Sequence, residues 1–116
     1  ETVLFFAATQ QFVAQTCWRP LADVYRSREG WVVKFELPGV GREDVQVVIQ
    51  GCRLMVSGIR RDWVLEQGCA YHAMEIPYGR FERTVELPCG MEPQRFQLEF
   101  RDGLLLVRVA TEGEER

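Results

Sequence analysis

Twice along this chain an alternating apolar run stops at Leu-Pro, and a short hairpin pattern follows. The first instance is "WVVKFELPGV", residues 31–40, leading to "VQVVIQGCRLMVSG"; the second is "RFERTVELPCG", residues 80–90, leading to "FQLEFRDGLLLVRV". Proline has no N–H to give a central ladder, so each Leu-Pro step ends a strand. Each hairpin pattern turns on two central residues that include glycine, Gly51-Cys52 and Asp102-Gly103. Such turns join adjacent antiparallel strands. A chain that closes a strand and then opens a hairpin, twice, is directed to cross between two facing sheets.

The period supports this. Trp31, Val33, Phe35 and Leu37 fall on one side of an extended segment, with Lys34 and Glu36 on the other. Val45, Val47 and Ile49 alternate in the same way, as do Leu54 and Val56, Phe81, Val85 and Leu87, then Phe96, Leu98 and Phe100, then Leu105, Val107 and Val109. A shorter strand is expected over residues 22–25. Short strands separated by turn residues are the pattern of an antiparallel β-sandwich. Residues 2–17 form an apolar arm that reads as one helical face or, at "TVLFF", as a strand. Arg83 intrudes on an apolar alternation and needs an acidic partner if buried.

Length and composition bound the rest. The 116 residues suit one domain, at 47% hydrophobic and 27% charged. The net charge of −3 gives no electrostatic case for nucleic acid or anionic membrane. No apolar run approaches the roughly 18 residues of a membrane span. No secretory leader is visible, so a cytoplasmic location is expected. The four cysteines, Cys17, Cys52, Cys69 and Cys89, form no C-x-x-C and are expected to be reduced thiols without metal. Lys34 is the only lysine, which by itself indicates no function.

The single histidine, His72, lies near Cys69, but no nucleophile, phosphate-loop or zincin motif accompanies it. No catalysis and no cofactor are expected. Residues 60–79 leave about twenty positions without a firm core strand, and loops that long are usually functional. Within them "AYHAMEI", residues 70–76, has strand character and no evident partner. Phe5, Phe6 and Phe12 of the arm exceed what so small a domain can bury, and are candidate contacts for apolar clients.

The ordered set "WRPLADVY" (18–25), "WVVKFELPGV" (31–40), "REDVQV" (42–47), "LMVSGIR" (54–60), "YGRFERTVELP" (78–88) and "DGLLLVRV" (102–109) resembles the small heat-shock proteins, in their bacterial and plant type. The resemblance covers about residues 18–110. It implies an immunoglobulin-like all-β sandwich, the α-crystallin domain, with an arm at 1–17 and a tail at 111–116. It implies an ATP-independent holdase that binds partly unfolded proteins and suppresses their aggregation. It implies a homodimer, or a higher oligomer of the full-length chain, in which the loop strand is exchanged between subunits. Ala22, Val24, Tyr25, Tyr71, His72, Met74, Ile76 and Arg83 would then lie at the interface. The family also receives an Ile-x-Ile tail in a groove between two edge strands. Here Val45, Val47, Ile49, Phe96, Leu98 and Phe100 would floor that groove. The sequence departs from the family at Leu98, often alanine, and Val107-Arg108-Val109 has the tail-like pattern but lies inside the last core strand. With no suitable tail in the sequence, the arm is a candidate occupant of the groove. The alternative function is a monomeric co-chaperone-like sandwich that binds one defined partner; it lacks an exchanged loop strand, so solution mass separates the two.

Overall fold

β-Branched and aromatic residues dominate the alternating segments, and each forms a strand whose alternate side chains reach the core. The computed structural model describes residues 2–5, 17–62, 67–88 and 91–111, with the backbone alone for 2–5 and 91–94. The strands are β1 (Thr2–Phe5), β2 (Ala22–Arg26), β3 (Gly30–Glu36), β4 (Val45–Gln50), β5 (Arg53–Arg60), β6 (Gly79–Glu86), β7 (Met91–Arg101) and β8 (Leu104–Thr111). One sheet has the order β1-β4-β5-β6 and the other β2-β3-β8-β7. All pairings between these strands are antiparallel. The layers bury Val33 and Phe35 from β3, Val47 and Ile49 from β4, Leu54 and Val56 from β5, Phe81 from β6, and Leu105 and Val107 from β8, each 1% exposed or less.

The Leu-Pro steps behave as the sequence directs. Strand β3 lies in one sheet and the β4–β5 hairpin after Leu37-Pro38 lies in the other. Strand β6 lies in that second sheet, and the β7–β8 hairpin after Leu87-Pro88 returns to the first. The first corner is locked by its distant hairpin: the Leu37 N–H donates to the Gly103 carbonyl at 2.8 Å. Asp102 and Gly103 both have positive φ, 50° and 83°, as a tight Asp-Gly hairpin turn requires.

Several expectations change. Of the two readings open for "TVLFF", the strand holds over Thr2–Phe5, which pairs with β4 through Thr2↔Ile49, Val3↔Val48 and Phe5↔Val47. Strand β2 extends to Arg26. Strand β7 starts at Met91, ahead of "FQLEFR", with an irregularity between Met91 and Phe96. Proline is tolerated there because β7 is an edge strand. Residues 70–76 form no strand within the chain. The expectation of four reduced thiols fails at Cys52, which is disulfide-bonded to a partner outside the described residues. The turn carrying Cys52 sits against the second Leu-Pro corner, where the Leu87 N–H donates to the Cys52 carbonyl at 2.9 Å. That closeness across the sequence is invisible in cysteine spacing alone. Cys17 and Cys69 are exposed thiols.

Candidate protein-interaction surfaces

Among the described residues strand β2 is an edge, paired with β3 on one side only. Its residues Val24 and Tyr25 are each 44% exposed, and Leu21 just before it is 68% exposed. The other concentration of exposed large apolar residues is the loop before β6: Tyr71 at 74%, Met74 at 53% and Ile76 at 59%. Ala22 is half-buried and His72 exposed. A depression of about 270 Å³ beside β2 is lined by Leu21, Ala22, Asp23, Lys34, Glu36 and Leu104. On the outer face, the Lys34 ammonium sits 5.1 Å from the centre of the Tyr25 ring. Its hydrogen bond and attraction to Tyr25 raise its pKa above the ordinary lysine value.

Arg83 lies on β6 between the buried Phe81 and Val85 and is itself half-buried. One terminal nitrogen donates to the Pro20 carbonyl at 2.7 Å. Its Nε is buried with no hydrogen-bond partner. Burial, and then repulsion from Arg19, lower its pKa from the usual arginine range. Among the described residues no carboxylate pairs with it, so the expected acidic partner is not supplied there.

The second surface is the edge of β4. Val45, Val47 and Ile49 are fully buried, while Leu98 and Phe100 are half-buried against the same core. Phe96 stands apart from them. It borders a polar depression with Ser27, Glu29, Arg95 and Arg108. The β4 edge is covered by β1, the arrangement expected if the arm occupies the groove. Phe6 and Phe12 lie outside the described residues, as does the Phe5 side chain.

The neck of the long loop was not foreseen from sequence. Arg60 and Gly79 form the last rung of the β5–β6 ladder, so the loop leaves and returns at one point. The Arg60 Nε and one terminal nitrogen donate to the Pro77 carbonyl at 3.1 and 2.7 Å. The other terminal nitrogen donates to the Pro38 carbonyl at 3.1 Å. Its guanidinium lies 4.1 Å from the centre of the Trp18 ring. Trp18 Nε1–H donates to the Gly79 carbonyl at 3.1 Å, and its ring packs 5.1 Å from Phe81, centre to centre. Arg61 makes a two-pronged pair with the buried Asp44 at 2.9 and 2.8 Å. That pairing raises the Arg61 pKa above its ordinary value. The adjacent basic pair Arg60-Arg61 was the available signal, but only the fold brings Pro38, Asp44, Trp18 and Pro77 to it.

The comparisons with known proteins agree with this architecture. The sequence pattern of the Hsp20/alpha crystallin family matches residues 23–116. The chain belongs to that family. Spore protein SP21 of Stigmatella aurantiaca is 31% identical over 86 residues, covering 74% of this chain and 51% of that protein. Small heat shock protein C2 of Rickettsia felis is 27% identical over 90 residues, covering 78% of this chain and 58% of that one. The chain thus spans about half the length of these curated relatives. Heat shock protein 16.0 from Schizosaccharomyces pombe superposes with a TM-score of 0.76 at 29% identity, covering 84% of this chain and 91% of that one. The fold of hspA from Xanthomonas axonopodis is also shared, with a TM-score of 0.74 over 88% of this chain and all (100%) of that one. The sandwich is therefore an α-crystallin domain. No helix among the described residues is long and apolar enough to cross a membrane. Among the described residues no group of three or more His, Cys, Asp and Glu converges on a point that would hold a metal ion. Cys69 and His72 both sit in the exposed loop.

Proposed function

We propose that this chain is an ATP-independent holdase that works as a homodimer, binds partly unfolded proteins through apolar surface, and slows their aggregation without catalysis or cofactor. The domain comprises residues 18–110, flanked by an arm and a short tail. One observation carries the reading: the exposed large apolar residues gather on a sheet edge and on the loop segment 71–76. Residues 70–76 make no hydrogen bond among the described residues. Strand β2 has a side that is unpaired among the described residues. Adding residues 70–76 of a second copy to β2 satisfies both backbones and covers Val24, Tyr25, Tyr71, Met74 and Ile76 together. Arg83, with its unpartnered Nε, takes a carboxylate of the other subunit.

The test is light scattering of a heated client protein with and without this chain, in the absence of ATP. The reading expects scattering to fall in proportion to added chain. Unchanged scattering at several-fold molar excess contradicts it. Solution mass separates this reading from a monomeric module with one partner. The same function places the chain in the cytoplasm, where fractionation of cells expressing a tagged full-length protein checks the location.

A further inference from the structure

The loop that carries residues 70–76 is not a free tether. Its exit and return are tied at one side chain, because Arg60 binds Pro77 on the return and Pro38 on the neighbouring corner. Those bonds and the face of Trp18 meet the guanidinium from different directions. Trp18 in turn holds the Gly79 carbonyl, and Gly79 has φ +93°, a conformation that other residues adopt only with strain. Arg61 fixes the first step beyond β5 to Asp44. Past this neck the segment is exposed from residue 67 to residue 78. A strand offered to another molecule binds more tightly when its direction is set beforehand, since less ordering remains to be done on association.

We infer that Arg60 is the positioning residue for subunit exchange: it closes the loop neck and aims residues 70–76 away from their own sandwich. The inference rests on the dimer reading above. It needs arginine, not merely a positive charge. A planar guanidinium reaches two carbonyls in different segments and stacks on an indole at once, whereas an ammonium is a point charge on a flexible stem.

The experiment compares the full-length wild type with Arg60→Ala and Arg60→Lys. Dimer dissociation is followed by sedimentation over a dilution series. Amide exchange is followed over residues 67–79 and, separately, over β4 and β5. Arg60→Ala should raise the dissociation constant at least tenfold and speed exchange in the loop. Exchange in β4 and β5 should stay unchanged. Arg60→Lys should rescue little of the affinity. An unchanged dissociation constant in Arg60→Ala, with a dimeric wild type, overturns the inference. So does a rise matched by faster exchange throughout β4 and β5, which marks general loosening of the fold, or full rescue by lysine. A wild type that is monomeric at every concentration overturns the dimer reading instead.

Discussion

Two residues show how closely function and packing share this sandwich. Gly58 lies in β5 where a Cβ would come within 2.0 Å of the Asp44 carbonyl oxygen and 2.8 Å of the Phe81 ring. Its absence of a side chain lets the Arg42–Asp44 turn lie flat on the sheet, which in turn aims Asp44 at Arg61. Overpacking a filled core costs typically about 1–3 kcal/mol, and a backbone clash belongs at the upper end. Gly58→Ala should therefore lower the urea midpoint by at least that equivalent; a midpoint within error of wild type refutes the close approach. Arg83 predicts an opposite balance. Within one chain its guanidinium is desolvated and repelled by Arg19, so Arg83→Ala should leave the monomer as stable as before or more so. In the proposed dimer the variant would lose the carboxylate partner proposed above. For a half-buried pair we take about 1–3 kcal/mol, between the exposed and fully buried cases, or roughly 5- to 150-fold in dissociation constant. Sedimentation at serial dilution reads the second effect and thermal unfolding the first. A mutant that unfolds earlier yet dimerises normally would return Arg83 to a purely structural position.

At the scale of elements, the strands were legible because period-two alternation and Asp-Gly or Gly-Cys turns are local signals. Val33 and Phe35, or Val47 and Ile49, announce their buried face within a few residues. The Leu-Pro corners were legible for the same reason. What was not legible depended on distant partners. "TVLFF" carries no pattern that separates strand from helix until β4 is beside it. Cys52 meets the second corner only once β5 and β6 are paired. The carbonyls that Arg60 binds belong to prolines 22 and 17 positions away. Of the expected groove floor, the β4 residues and Leu98 and Phe100 meet at one core, while Phe96 borders the polar depression with Ser27, Glu29, Arg95 and Arg108. Strand β1 has four residues, a register shift and contacts to β4 alone among the strands that pair with it. Such an element belongs at the low end of local stability. Deleting residues 1–12 should bare the β4 edge and tighten binding of a short peptide with alternate isoleucines, measured by fluorescence anisotropy. Equal affinity before and after deletion means that β1 does not compete for that edge.

For the whole molecule, the question is how each sheet ends. Strand β6 is shielded by the Trp18 segment, which exchanges backbone bonds with Arg80 and Glu82 at 3.0 and 3.2 Å. Strand β7 carries Pro93 and an irregularity, both of which discourage further pairing. Strand β4 is covered by β1. Among the described residues that leaves β2 as the open edge, and the segment proposed to fill it is on the same chain's loop. Removing residues 62–76 should convert the dimer to a monomer in sedimentation while leaving the sandwich folded by circular dichroism. A deletion variant that remains dimeric would show that the contact lies elsewhere.

The cover on β4 has a further consequence, in the language of polymerisation. If the proposed dimer joins through β2, it is a closed two-fold unit, and the β4 edges, one per subunit, are where this domain would offer additional contacts. With β1 seated on both, the unit has a valence of zero and assembly stops at two chains. With one lifted it becomes a chain end, and with both lifted a chain extender. Under that proposal, mean assembly size would follow the occupancy of a four-residue strand.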